Sequence, residues 1–448
     1  MSKTRFFARE EFFGWLLFDT RTQQYVVPVT PGAIRAFHSV VEEATVPKAA
    51  DLPDANGAQA AAIVRWLNEN ECLPGSVHIS TRSPRPKMLS APLNVYFDFT
   101  SVCNLACTMC YDEPKRAAIK RAHELTVAEI DGIFDQLREM GVFRVDLAGG
   151  EPTLFPEVLV EYLASARRRD ISVSITTNAS RLPMGLARRI LEFELKTITV
   201  SIDGPDAATN DRVRGLGSFA KALEGVGNLL AAKRELGSKT VIAIKNTFRP
   251  TITPDEIHGF VELGQRVGVD KVKFNAMRPS GEAVSDNDLI MNVPAYYAAL
   301  REMKRLADLS DGVEISGPTN PATCFGGRVP HLTDWGCVAG KELMTIDSIG
   351  NVRPCSMMND FVVGNVRSNS IRDLYLNSSI NTLRGLENEE CSSCEGFTTC
   401  RGGCRVRSQA AGDFFAKDPL CPKDAGQVMV QIIAPPAPFQ YLGLPHSL

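Results

Sequence analysis

Phe97-Asp-Phe-Thr-Ser-Val-Cys103-Asn-Leu-Ala-Cys107-Thr-Met-Cys110 joins a short apolar strand to three cysteines spaced C-x3-C-x2-C. Three thiolates at this spacing suit an iron–sulfur cluster, yet a cubane cluster ordinarily takes four cysteines. A site closed by protein ligands is structural, whereas one with an open position can bind and activate a substrate, as zinc enzymes illustrate. The alternative reading is a zinc site, but zinc pairs are commonly C-x2-C and no fourth ligand lies nearby.

Outward from this segment, residues 93 to about 310 alternate apolar strands with amphipathic helices. The pattern predicts strands at Val95–Phe99, Phe143–Leu147, Ser172–Thr176, Thr197–Ile202, Val241–Asn246 and Lys271–Phe274. Thr126-x-x-Glu129 and Thr253-Pro254-Asp-Glu256 read as capping boxes that open helices. Repeated strand–helix units imply a parallel sheet, open or curled into a barrel. Six units fall short of the eight in a closed barrel.

Residues 1 to about 80 read differently. Gly14–Phe18 and Tyr25–Val29 flank a polar turn, predicting a hairpin. Thr30-Pro31 opens a helix over Ala33–Glu43, Ala58–Asn70 is a second helix, and Ser83-Pro-Arg-Pro-Lys87 reads as a linker. From about 311 onward periodicity weakens while Gly and Cys increase, so metal sites are expected to hold that segment more than an apolar core does.

The chain has 448 residues, 44% hydrophobic and 23% charged, with net charge −3. These values exclude a bulk field that recruits nucleic acid or anionic membrane. No apolar run is of membrane-spanning length and the N-terminus lacks a signal core, which predicts a cytoplasmic protein. Twelve cysteines in a reducing compartment point to metal ligation rather than disulfides.

The cysteine triplet after the first strand of an αβ array resembles the radical S-adenosylmethionine enzymes. Gly149-Gly150-Glu151-Pro152, Asn178, Ser201-Ile-Asp203-Gly204 and Arg214 match further landmarks at the ends of successive strands. The resemblance implies a partial (β/α)6 TIM-like barrel over residues 90–310. It implies that Cys103, Cys107 and Cys110 bind a 4Fe–4S cluster whose free iron takes S-adenosylmethionine. Gly149, Gly150, Glu151 and Pro152 would then lie at the methionine amino group. Asn178, Ser201 and Asp203 would line the cofactor, with ribose and carboxylate contacts at Ser201 and Asp203, and Arg214 would take the methionine carboxylate. Met109 and Tyr111 would flank adenine. Met109 departs from the pattern, which usually has an aromatic residue before the third cysteine.

Cys337, Cys355, Cys391-x2-Cys394-x5-Cys400-x3-Cys404 and Cys421 resemble the SPASM domain of enzymes that modify peptides and proteins. That resemblance implies, over residues 311–430, two auxiliary iron–sulfur clusters of the 4Fe–4S kind. Cys337, Cys355 and Cys404 would hold the first, with Cys324 as an added ligand, and Cys391, Cys394, Cys400 and Cys421 the second. The alternative there is two structural zincs. Residues 431–448 are expected to be a tail, and Cys72 a partly buried free thiol.

Residues 1–85 resemble the winged-helix-like recognition element of ribosomal-peptide maturases. The implied partner is a precursor peptide whose leader adds a strand to an exposed sheet edge. Trp15 and Phe18 could line its pockets, although core packing also suits them. The implied activity is reductive cleavage of S-adenosylmethionine, with the 5′-deoxyadenosyl radical abstracting hydrogen from that peptide. Crosslink, thioether, epimerised and oxidised products all remain open, family frequency favouring an intrapeptide crosslink. A flavodoxin- or ferredoxin-type reductant is implied, with no nucleic acid and no membrane as partner. Two other readings stand beside this one: radical chemistry on a folded protein or small metabolite, and a non-catalytic iron–sulfur electron carrier.

Overall fold

The computed structural model describes residues 4–28, 30–53, 57–80, 88–112, 121–281, 293–310, 312–317, 337–384, 389–394, 397–421 and 439–442. Cys324, the 83–87 linker and most of the 431–448 tail lie outside the described residues.

The N-terminal hairpin is part of a larger sheet. β1 (Phe6–Glu11), β2 (Gly14–Asp19) and β3 (Gln24–Pro28) form an antiparallel meander. β4 (Val77–Ile79) adds to β1 in parallel. Helices Pro31–Val41 and Gly57–Glu69 cover one face, where Trp15, Leu17 and Val26 meet Phe37, Ile63 and Leu67. The other face, with Phe7, Leu16, Phe18 and Tyr25, packs on Leu89, Leu93 and Phe143. Both faces are buried, which explains the unbroken apolar run at 15–18. Trp15 and Phe18 are therefore core residues. Cys72 is likewise buried in this unit, where burial pushes its thiol up to about 12.

The main sheet contains all six predicted strands: β5 (Asn94–Asp98), β6 (Arg144–Ala148), β7 (Ser172–Thr177), β8 (Thr197–Ser201), β9 (Val241–Phe248) and β10 (Lys271–Ala276). They are parallel and adjacent in chain order. Both predicted capping boxes are formed, at Thr126 with Glu129 and at Thr253 with Glu256. Even-numbered residues of β8, β9 and β10, such as Ile198, Ile244 and Phe274, join the helices in the core. Odd-numbered residues face the concave lumen.

Two short strands missed in the sequence extend the sheet in parallel at either side: β11 (Glu314–Ser316) beside β10, and β12 (Leu343–Ile346) beside β5. β13 (Asn351–Arg353) and β14 (Gly364–Asn365) continue it antiparallel beyond β12. Met344, Ile346, Val352, Ile371, Leu374, Tyr375 and Leu420 belong to the main core. Apolar packing thus also holds the segment against the barrel.

The N-terminal sheet docks at the amino ends of the barrel strands. Arg9 Nη1 donates to Pro92 O (3.0 Å) and Gly141 O (3.1 Å), and Phe143 N donates to Tyr25 Oη at 3.1 Å. Gln23 Nε2 donates to Glu194 O at 2.9 Å, and Lys196 Nζ to Thr22 O at 2.7 Å. The last described strand, β15 (Phe439–Leu442), lies along β3 in parallel, with Phe439 opposite Tyr25 and Leu442 opposite Pro28. The C-terminal segment is thus more than the tail expected: four of its residues complete the N-terminal sheet.

Candidate active site

The cysteine loop leaves the carboxyl end of β5 and is clamped on two sides. Glu124 accepts from Thr100 Oγ1 (2.9 Å), Ser101 N (2.7 Å) and Ser101 Oγ (2.7 Å). On the other side the loop rests on the turn after β6, where Gly150 N donates to Thr100 O (2.6 Å) and Glu151 N to Val102 O (2.8 Å). Gly149 has φ of 104°, and a Cβ there would sit 2.7 Å from Thr100 O. At Gly150 a Cβ would be driven into the Val102 carbonyl. Backbone-to-backbone contact therefore requires both glycines. Thr108 N also donates to Val213 O at 3.0 Å, joining the loop to the end of helix Ala207–Arg214.

Cys103, Cys107 and Cys110 are half-buried around the resulting mouth. Asn178 Nδ2 stands 3.8 Å from Cys103 Sγ, and Arg214 Nη1 stands 3.9 Å from Cys107 Sγ. Such N–H donors tune sulfur ligands. Arg214 Nε lies 2.6 Å from Asp203 Oδ2, and Asp203 Oδ1 accepts from Thr247 N at 2.7 Å. Burial disfavours the Arg214 cation, but Asp203, Cys107 and Cys103 outweigh it and raise its pKa. Asn178, Asp203 and Arg214 thus share one mouth with the thiols, and Ser201 ends the adjacent strand β8.

Other expected cofactor residues are committed to the protein. The fully buried Glu151 carboxylate accepts from Thr153 N (3.0 Å), Thr153 Oγ1 (2.6 Å), Thr177 Oγ1 (2.6 Å) and Asn178 N (2.6 Å). It ties the end of β6 to that of β7. Pro152 is buried and opens a short 3-10 helix. Met109 is half-buried on the loop. Tyr111 turns away from solvent: its hydroxyl donates to Asp98 Oδ1 at 3.2 Å, and burial followed by Asp98 raises its pKa well above the usual tyrosine range.

No sequence motif pointed to the partner on the other side of Asp98. Arg353 Nη2 donates to Asp98 Oδ2 at 2.9 Å, with both side chains buried. Arg353 also reaches Asn359, whose Nδ2 donates to Tyr111 O at 2.8 Å. The segment carrying Cys355 is therefore tied directly to the one carrying Cys110.

The C-terminal thiols stand in two neighbourhoods. Cys355 feels Cys337 and Cys404, and burial with these neighbours pushes it up to about 11. Cys391 is influenced by Cys421 and Cys394. Cys400 is pushed up to about 12 by burial first, then Asp418, Cys421 and Cys391. Asp418 organises the surrounding loops: it accepts from Cys404 N (2.7 Å) and pairs with Arg407 at 2.6 Å. Among the described residues, no three His, Cys, Asp or Glu side chains converge as a single metal ion would require. Buried or half-buried thiols that lie close enough to influence one another, Cys355 with Cys337 and Cys404, and Cys391 with Cys421, suit iron–sulfur ligation.

Comparison with known proteins agrees with this geometry. Residues 97–272 match the Radical SAM superfamily, and residues 337–396 match an iron–sulfur cluster-binding domain, SPASM. The chain is 30% identical over 366 residues to mycofactocin maturase MftC of Mycobacterium tuberculosis, covering 75% of this chain and 85% of that one. It is 26% identical over 365 residues to AdoMet-dependent heme synthase of Methanosarcina barkeri, covering 75% and 97%. In fold it resembles Streptococcus suis SuiB bound to S-adenosylmethionine, with a TM-score of 0.67 at 17% identity over 93% of this chain and 98% of that one. The chain belongs to the radical S-adenosylmethionine enzymes, in the branch that carries a SPASM domain. It is an enzyme that binds S-adenosylmethionine, a 4Fe–4S cluster in the barrel and auxiliary iron–sulfur clusters in the C-terminal domain.

Proposed function

We propose that this enzyme is a peptide maturase that modifies a ribosomally made precursor peptide after reductive cleavage of S-adenosylmethionine. When bound at the mouth, cluster and cofactor would supply the radical chemistry for hydrogen abstraction. Cys103, Cys107 and Cys110 hold the cluster, and Asn178 and Arg214 direct N–H groups at its sulfurs. The backbone of 149–151, with Ser201, Asp203 and Arg214, lines the cofactor, while the backbone at Met109 and Tyr111 borders adenine. Asp203 orients Arg214 towards the cofactor carboxylate. Cys337, Cys355 and Cys404, with Cys324, hold one auxiliary cluster; Cys391, Cys394, Cys400 and Cys421 hold the other. A flavodoxin- or ferredoxin-type protein supplies electrons in the cytoplasm.

The observation that carries the peptide reading is β15 on β3. That edge accepts a parallel strand of this chain's own residues, so it has the exposed backbone groups and the pleat that strand addition needs. A leader would take the same place, displacing residues 439–442. The names of two similar proteins support the reading: a mycofactocin maturase, and SuiB, which is also known bound to precursor peptide SuiA. Similarity to AdoMet-dependent heme synthase favours a second reading, with a small molecule as substrate.

Two measurements test the proposal. Reduced, reconstituted enzyme should form 5′-deoxyadenosine, and Cys107→Ala should abolish this while keeping the auxiliary iron. The leader of the precursor encoded beside the gene should bind the full chain, and more tightly once residues 431–448 are removed. Absence of leader binding in both forms would favour the small-molecule reading.

A further inference from the structure

The lumen wall carries two lysines side by side. Lys245 on β9 and Lys273 on β10 are register partners, and the row continues to Ser201 on β8 and Ser316 on β11. Both lysines occupy odd, lumen-facing positions, opposite the core residues Ile244 and Phe274. The direction of Lys273 is further fixed by its Nζ, which donates to Thr199 Oγ1 at 3.0 Å, spanning β9 to reach β8.

Like charges directly opposite each other on neighbouring strands destabilise a sheet. A pair of half-buried ammonium groups on one wall of the lumen favours a compensating anion between them. The nearby carboxylates are engaged elsewhere. Asp203 pairs with Arg214, Glu314 pairs with Lys271, and Asp146 accepts from Asn94. Among the described residues Lys245 makes no hydrogen bond or ion pair, and Lys273 makes only the one to Thr199. Both are held near a pKa of about 8, by burial first and then by neighbouring cations: Arg214 for Lys245, and Lys271 and Lys245 for Lys273. Asp203 and, for Lys273, Asp146 and Glu314 offset this only in part. Lys245 sits three residues, roughly 10 Å, inside the carboxyl end of β9, below the cysteine mouth.

We propose that Lys245 and Lys273 form an anion subsite that holds a carboxylate of the substrate peptide in the barrel lumen, with the hydroxyls of Ser201 and Thr199 beside it. The proposal rests on the peptide reading above and adds to it a recognition element. One ionic anchor below the cofactor, together with the radical source above, limits which C–H bonds of the peptide can face the radical. The carboxylate belongs either to the peptide's C-terminus or to an Asp or Glu side chain.

The test uses reconstituted full-length enzyme and the precursor encoded beside the gene. Lys273→Met should lower peptide modification by about tenfold or more, with Lys273→Arg restoring part of it, while peptide-independent cleavage of S-adenosylmethionine stays at the wild-type rate. On the substrate side, a C-terminal amide or a single Asp→Asn or Glu→Gln change should reproduce the loss, and the one that does identifies the source. Wild-type modification rates in Lys245→Met and Lys273→Met overturn the subsite. So does an equal loss of peptide-independent cleavage in Lys273→Met, which would assign the lysines to the cofactor's own carboxylate. Failure of the wild-type enzyme to modify any peptide, with cofactor cleavage intact, would instead overturn the peptide reading on which the subsite depends.

Discussion

Glu151 and Lys273 are both charged side chains inside the barrel, and they are treated in opposite ways. The Glu151 carboxylate meets four donors and is satisfied without a ligand. Lys273 has one neutral partner and a cation across the strand. A lysine whose pKa falls to about 8 on folding costs stability at neutral pH, because the unfolded chain binds its proton more tightly. Between about pH 8 and the ordinary lysine value the unfolded state carries more protons, so stability rises with pH. Lys273→Met should therefore raise the stability of the substrate-free holoenzyme at pH 7 by about 1–3 kcal/mol and flatten that rise. Thermal melts of both proteins from pH 7 to 10 check this; a destabilised variant would mean that the ammonium already has its anion.

At the scale of elements, the decisive contact is the packing of the cysteine loop on the turn after β6. Two backbone hydrogen bonds at 2.6 and 2.8 Å hold them together, and Gly150 leaves no space for even a methyl group. Gly150→Ala should push the loop off the turn and lower both cluster iron at the triplet and cofactor cleavage, the latter by about tenfold or more. Auxiliary iron should be retained, since the C-terminal thiols lie on other segments. Iron analysis combined with 5′-deoxyadenosine assay separates the two outcomes, and full activity in the variant would rule out this packing.

Across the whole molecule, Asp98 and Arg353 join the barrel to the segment carrying Cys355. Burial pushes the Asp98 carboxyl up to about 7 although Arg353 pulls it down. Removing one partner of a buried pair leaves the other uncompensated, which typically costs about 3–5 kcal/mol. Arg353→Ala should lower the melting temperature of the holoenzyme markedly, and Asp98→Asn with Arg353→Met should recover much of the loss. Equal melting of the single and double variants would show that the pair does not couple. The N-terminal sheet lies at the other end of the barrel from the cysteines, so a leader docked on β3 must be followed by a spacer. Spanning strands of five to eight residues requires roughly 17–26 Å, or about five to eight extended residues at minimum.

Short-range features carried what the sequence determined by itself. The C-x3-C-x2-C spacing, the capping boxes at Thr126 and Thr253 and the six strand–helix repeats each lie within a few residues or one repeat, where periodicity and ligand spacing are written directly. They sufficed for a parallel αβ sheet, open or curled, and for a three-cysteine site; the partial barrel and the SPASM segment came from resemblance to known families. Only the tertiary structure decided that Arg353 reaches Asp98, that Lys245 and Lys273 stand in register, that β11 and β12 extend the sheet, and that residues 439–442 lie along β3. These pairings join positions tens to hundreds of residues apart, through strands as short as three residues. Their energy comes from burial and from charges meeting across the fold, which leaves no periodic trace in either partner's local sequence.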